Sequence, residues 1–232
     1  MSAVAINSTL GRGVHFYKTT VGKKAVMAAT GVILFGFVIG HMAGNLQFFL
    51  GRETMNAYAE KLHALGPLLW AVRLALLAAV GLHIYAAVQL ALLQRAARPV
   101  KYAKFDPQGS TYASRTMYWS GPIVGFFIVY HLLHLTTGTV HPGYEYLNAY
   151  DNLVIGFKQP AVSLFYIAAM ILLGMHLYHG LWSMFQSLGL AHPRYTPKIR
   201  AFAKLFTFVI VLGFIAVPIA ILGGFHPDFD RV

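Results

Sequence analysis

Five long apolar runs, separated by charged or turn-rich segments, dominate the pattern of hydrophobic and polar positions along this chain. They cover about Ala25 to Phe49, Leu68 to Leu93, Met117 to Thr137, Ala161 to Phe185 and Leu205 to Leu222. A helix of roughly 20 apolar residues crosses a hydrocarbon core about 30 Å thick, and each run is close to that length. Lipid offers no partner to backbone groups, and a barrel would show shorter alternating segments, so the runs predict helices. Pro122 and Pro218 fall inside the third and fifth and are candidate kinks. The expectation is an all-α polytopic membrane protein, one five-helix transmembrane domain over residues 1–232. The first 24 residues lack an apolar stretch, so no cleavable signal peptide is expected.

Composition agrees, with 57% hydrophobic and only 11% charged residues, against roughly 25% charged in an average soluble domain. The net charge of +11 raises the question of nucleic acid, which would need a basic soluble face. Here the cations sit in three clusters between apolar runs, so no nucleic-acid partner is expected. Arg12, Lys18, Lys23 and Lys24 precede the first run. Arg95, Arg98, Lys101, Lys104 and Arg115 follow the second, and Arg194, Lys198, Arg200 and Lys204 follow the fourth. The other loops hold Arg52, Lys61 and Lys158 against Glu53, Glu60, Glu145 and Asp151, and the tail has Asp228, Asp230 and Arg231. The excess of Lys and Arg on cytoplasmic loops predicts a cytoplasmic N-terminus and an external C-terminus.

Cysteine is absent, which excludes disulfides, Cys-x-x-Cys-His haem attachment and thiolate-held iron-sulfur clusters. Redox chemistry would need a cofactor held by other ligands. Of 11 histidines, six fall inside the predicted spans: His41, His83, His131, His134, His176 and His179. An ionisable group at membrane depth is costly and by default functional; the plainer reading is one hydrogen bond to a neighbouring helix. Four helices carrying such a residue at matched depths weigh against the plainer reading.

Depth follows from the helical rise. His41 lies 17 residues after Lys24 and His131 lies 16 after Arg115, roughly 24 to 26 Å from the cytoplasmic charges at 1.5 Å per residue. His83 precedes Gln94 by 11 residues and His176 precedes Gln186 by 10, roughly 15 to 17 Å from that boundary. The arithmetic pairs His41 with His131 and His83 with His176, as two stacked sites. Two bis-histidine b haems fit this pattern, because a porphyrin supplies four of the six nitrogens, whereas zinc or copper would recruit further protein ligands. Gly40, Gly44, Gly81, Gly174 and Gly180 lie near these histidines and leave room for a macrocycle, or for ordinary close helix packing. His134 and His179 follow His131 and His176 at i+3, share their faces, and either can replace its neighbour as ligand. Their other role is as donors behind the ligands or as contacts to haem propionates. Met42 and Met175 read as packing residues.

These residues resemble the diheme cytochrome b anchor of succinate:quinone oxidoreductases and fumarate reductases, in the class with one five-helix polypeptide. The likeness rests on Gly40-His41-Met42-Ala43-Gly44-Asn45-Leu46, Leu82-His83-Ile84, Ala113-Ser114-Arg115-Thr116-Met117 with Ser120-Gly121 and Tyr130-His131-Leu132-Leu133-His134, and His176-Leu177-Tyr178-His179-Gly180-Leu181-Trp182-Ser183. The resemblance implies haem ligation by His83 and His176 nearer the hydrophilic subunits and by His41 and His131 farther away. His131, ten residues after Gly121, matches the family's third-helix ligand. It further implies a flavoprotein partner with FAD, an iron-sulfur partner, membrane quinone as substrate, with menaquinone the family tendency, and a cytoplasmic (inner) membrane as location.

A quinone needs an apolar slot, polar groups at its carbonyls and a route for protons. At the external mouth Glu60, His63 and Arg73 are the candidates, with an interfacial charge cluster as the plainer reading. An inner pocket near Ser114, Arg115 or Tyr17 is the other choice. The alternatives to this function are a cytochrome b of another quinone-linked oxidoreductase and a transporter with a histidine proton relay.

Overall fold

Residues 11–97, 99–100, 110–226 and 228 are described by a computed structural model. Arg98, Lys101, Lys104, Asp230 and Arg231 of the charge clusters above lie outside them. Among the described residues the regular structure is helical throughout. The order is α1 (11–18), α2 (Thr20–Asn45), a 3-10 turn (Leu46–Leu50), α3 (Arg52–Ala64), α4 (Pro67–Ala96), α5 (Tyr112–Leu135), α6 (Ala149–Phe157), α7 (Pro160–Ser187) and α8 (Thr196–Leu222). Helices α2, α4, α5, α7 and α8 are long and apolar enough to cross a membrane; they take up the five apolar runs, the first finishing in the 3-10 turn and the third two residues beyond the end of α5.

Several spans outrun their apolar cores because the backbone keeps bonding to itself into the polar zone. Helix α8 starts at Thr196 rather than near Leu205, and its early turns carry exposed Lys198 and Lys204. Proline in the first turn opens α4, α7 and α8, where its missing N–H leaves no bond unmade. Thr19 and Thr111 cap α2 and α5, their hydroxyls accepting from the N–H of Gly22 at 2.9 Å and of Ser114 at 3.1 Å. Both α5 and α8 continue through their internal prolines, Pro122 and Pro218.

Helix α2 packs along α4, α5 along α7, and α7 along α8. By contrast α2 scarcely touches α5, and α4 scarcely touches α7. The α2–α4 and α5–α7 pairs meet through α2 and α7, and a parting is left between α2 and α5 and between α4 and α7. Outward faces are apolar, with Phe126 77% and Leu205 66% exposed, as expected where lipid replaces water.

The continuous buried core sits at one end of the bundle. There Phe48 stacks on Tyr150 at 5.1 Å, and Met55, Leu153, Val154, Phe157, Tyr166, Val217 and Ile221 pack around them. The short helices α3 and α6, outside the five-run pattern, close this end. Asn56 donates to Asn148 Oδ1 (3.1 Å) and accepts from the Tyr150 N–H (3.0 Å), and Arg52 meets Asp151 at 2.9 Å. The Arg52 N–H also donates to Asp228 at 2.9 Å, which ties the chain's last described residue to α3. The other end gathers the starts of α2, α5 and α8 and the ends of α4 and α7, where Arg95 lies over Tyr118 and Tyr17 donates to Gln89. It carries Lys23, Lys24, Arg95, Arg115, Arg194 and Lys198 and is called the basic end below.

Gly51, between the 3-10 turn and α3, has φ +96°, and a Cβ there would lie 2.6 Å from the Asp228 carboxylate. Gly51→Ala is expected to lower thermal stability in detergent by about 1–3 kcal/mol through backbone strain and displacement of Asp228. Gly11→Ala, with nothing within 4 Å, should leave the melting temperature unchanged.

Candidate functional site

The parting between the helix pairs is bridged by histidines. His41 on α2 and His131 on α5 have ring centroids 5.6 Å apart, nearly perpendicular; His83 on α4 and His176 on α7 have centroids 6.2 Å apart, tilted by 57°. In each case the two rings belong to helices whose backbones stand apart. The rings of a pair are not hydrogen-bonded to each other.

The two pairs occupy different levels. His83 and His176 lie against Gly31 of α2 and Gly121 of α5, in the half nearer the basic end. His41 and His131 lie in the other half, beside Phe37, Phe127, Phe214 and Tyr166. Gly31 and His41 are ten residues apart on α2, roughly 15 Å along the axis.

Hydrogen bonds fix how these rings are turned. His83 Nδ1 is 3.2 Å from the Met27 carbonyl and 3.1 Å from the Thr30 hydroxyl. A carbonyl only accepts, so His83 carries its proton on Nδ1 and keeps a bare lone pair on Nε2. The Thr30 hydroxyl spends its own proton on the carbonyls of Val26 and Met27 and so accepts from His83. His131 Nδ1 lies 3.4 Å from the Tyr166 hydroxyl. His176 Nδ1 is buried without a partner.

The glycines divide between packing and open space. A Cβ on Gly44 would meet the Tyr58 ring and one on Gly174 would meet Val211, so these two serve helix packing. Gly40, Gly81 and Gly180 have nothing within 4 Å, while Cβ atoms on Gly31 and Gly121 would come to 3.6 Å and 3.9 Å from the His83 and His176 rings. Met42 packs against Gly213 of α8 and away from the parting.

His134 and His179 share faces with His131 and His176 but reach different surroundings. His134 is fully buried, its Nδ1 3.0 Å from the Tyr166 hydroxyl and its ring 4.7 Å from His141. His179 lines a cavity of about 190 Å³ at the basic end with Thr111, Ser114, Trp182, Gln186 and Arg200. Arg200 lies 4.2 Å over the Trp182 ring, and Arg200 Nε and His179 Nδ1 are buried there without hydrogen-bond partners. Of the inner candidates only Ser114 lines this cavity. Arg115 donates to the Ser110 carbonyl, and Tyr17 donates to Gln89.

At the opposite end His63 and Arg73 come together and Glu60 stays apart. His63 Nδ1 donates to the Ala59 carbonyl at 2.8 Å, which leaves Nε2 as acceptor, 3.5 Å from Arg73 Nη2. The Tyr146 ring is 5.4 Å from His63, and Arg73 lies 5.2 Å over Trp70. Burial pushes the nearby Tyr144 phenol above its usual range, as does Tyr146 beside it, while Arg73 pulls the other way. Glu60, three residues before His63 on α3, is exposed to solvent. A shallow depression of about 450 Å³ lies farther along α3, lined by Gln47, Glu53, Thr54, Ala57, Tyr58 and Lys61.

Thr30, Gly31, Tyr166 and His141 have no counterpart in the reading of the sequence. His141 lies in a loop outside the apolar runs, and one tyrosine among 13 carries no signal of its own. Among the described residues no group of three or more His, Cys, Asp or Glu surrounds a common point.

The fold and the site thus define a polytopic helical membrane protein with two tiers of facing imidazoles. Comparison with protein families, curated proteins and solved structures finds no match to this chain.

Proposed function

We propose that the chain is the membrane-embedded diheme cytochrome b subunit of a succinate:quinone oxidoreductase, carrying electrons between an iron-sulfur partner and membrane quinone. The observation that carries this reading is the pair of tiers: imidazoles facing each other across helices that stand apart, with Nε2 left bare on His83. Two nitrogens complete the coordination of a haem iron, whereas they supply only half of a tetrahedral ion's ligands. His83 and His176 hold one haem, and His41 and His131 the other.

The haems supply one-electron transfer. The chain's own residues do the rest. Met27 and Thr30 turn the His83 ring and make its Nε2 a better donor. Gly31 and Gly121 keep side-chain bulk away from that tier. Quinone binds at the end opposite the basic one, where Arg73 and His63 reach its oxygens and Glu60 exchanges protons with water. The transmembrane spans hold no Asp or Glu, so the two protons of quinone chemistry enter at this mouth.

The basic end faces the cytoplasm and docks the iron-sulfur subunit, which a flavoprotein bearing FAD supplies with electrons. The positive-inside rule alone accounts for the basic residues, so the docking rests on the likeness of motifs described above and on the need for an electron donor near the closer tier. The membrane is the cytoplasmic (inner) one, and the quinone is menaquinone.

Reduced-minus-oxidised absorbance and a pyridine haemochrome count on the purified chain test the reading, with two b haems expected. His83→Ala and His176→Ala should each halve the haem content by removing one and the same haem, and His41→Ala and His131→Ala should remove the other. A colourless wild-type protein would overturn the assignment in favour of a histidine relay. Loss of the same haem in His41→Ala and His83→Ala would overturn the pairing.

For the quinone site, His63→Gln and Arg73→Leu are each expected to lower quinone turnover by the complex about tenfold to a hundredfold. Haem content and dye reduction should stay normal. Normal turnover in both, with loss on changing Ser114, would move the quinone to the basic end.

A further inference from the structure

Beyond His131 a row of buried polar groups runs toward the surface between α5, α6 and α7. The Tyr166 hydroxyl lies 3.4 Å from His131 Nδ1 and 3.0 Å from His134 Nδ1. The His134 and His141 rings are 4.7 Å apart, and His141 Nε2 lies 2.8 Å from the backbone carbonyl of Asn152. His134, His141 and Tyr166 are 0%, 7% and 6% exposed. Two nitrogens are left over on the adjoining rings, His134 Nε2 and His141 Nδ1, both buried and without partners. Gly156 makes the close approach feasible, since a Cβ there would lie 2.8 Å from the His134 ring and 3.0 Å from His141.

The protons in this row can be placed from its two ends. The Asn152 carbonyl only accepts, so His141 carries its proton on Nε2 and presents a lone pair on Nδ1. At the near end, a His131 that holds a haem iron through Nε2 keeps its proton on Nδ1 and donates it to the Tyr166 hydroxyl. The Tyr166 O–H then donates to His134 Nδ1, which puts the His134 proton on Nε2, beside the neighbouring His141 ring and its lone pair.

We propose that Tyr166 and His134, flanked by a His141 ring held on the Asn152 carbonyl, form a polarised hydrogen-bond string that positions His131 with its Nε2 free and sets the reduction potential of the centre it holds. This rests on the haem reading above. All three are positioning residues, acting through His131. A ligand imidazole that donates its other N–H is a stronger base and favours the oxidised metal.

The test uses the full chain in detergent or bilayers. Tyr166→Phe removes the acceptor, and the expected result is a rise in the midpoint potential of one haem, with the other unmoved and both haems retained. His141→Gln, beyond His134, should shift the same haem in the same direction by less. Equal shifts of both haems, or no shift in either variant, would overturn the proposal. The proton placement has a readout that needs no haem: ¹⁵N spectra of histidine-labelled protein should show His134 and His141 protonated on Nε2, each assigned by its loss in the Gln variant. Protonation of either on Nδ1 would refute the string even in a fully loaded protein. Absence of haem from the wild type, with both tautomers as expected, would overturn the haem reading and the potential but leave the string in place.

Discussion

A polar ring nitrogen inside a hydrocarbon layer has no water to bond, and that single constraint orders this molecule's interior. Each imidazole must find a donor or acceptor from the protein, or be held for something that supplies one. The carbonyl of Met27 and the hydroxyl of Thr30 meet the need at His83, and Tyr166 meets it at His131 and His134. Every one of these partners takes Nδ1 and leaves Nε2 unspent. In each facing pair the chain has thus settled the rear of one ring, His83 or His131, while His176 Nδ1 is buried without a partner.

The spacing of the helices follows from the same accounting. Small residues elsewhere draw helices together: Gly174 accepts Val211 of α8, and Gly44 accepts the ring of Tyr58. Comparable residues beside the histidines, Gly31 and Gly121, are met only by the imidazoles of the helix packed alongside. A bundle that merely needed tight packing would have closed the parting with larger side chains. The packing that holds the bundle is displaced instead to the end under α3 and α6, where Phe48, Tyr150 and Phe157 are sealed from solvent. Rigidity at that end and openness in the middle are two consequences of one distribution of apolar volume.

Much of this was legible before any coordinates. Five apolar runs of bilayer length leave few choices of fold, and the arithmetic from Lys24, Arg115, Gln94 and Gln186 sets side by side the same rings that the structure does. It works because a straight helix converts residue number into depth at a fixed rise. What stayed hidden lacks such a ruler. Helix α3 is charged on its outer face and α6 has only nine residues, so neither gives a spanning signal. The glycines near the histidines could not be sorted, because composition does not say which face of a helix meets a neighbour. Azimuth is also why Tyr166 and Thr30 were missed: both lie on spans, and nothing local marks one tyrosine or threonine as the one turned toward an imidazole. Glu60 failed to join His63 and Arg73 for the same reason, since three residues on a helix share a face only loosely and the guanidinium comes from another helix.

The two ends of the bundle differ in chemistry in a way that bears on direction of transport. Across the middle the spans offer no carboxylate, so a proton crossing the layer would have to ride on imidazoles alone. The opposite end carries the carboxylates Glu53, Glu60, Glu145 and Asp151, together with the half-buried His63. At the basic end His179 meets a cation, Arg200, instead of a carboxylate. A carboxylate both accepts and releases a proton, whereas a guanidinium stays protonated. The proposed function accordingly has its protons exchanged at the opposite mouth. In the proposed function, electrons that enter at the basic end traverse both tiers before meeting protons at the far one. Charge separation across the membrane then follows from where the ionisable side chains lie, without any moving part.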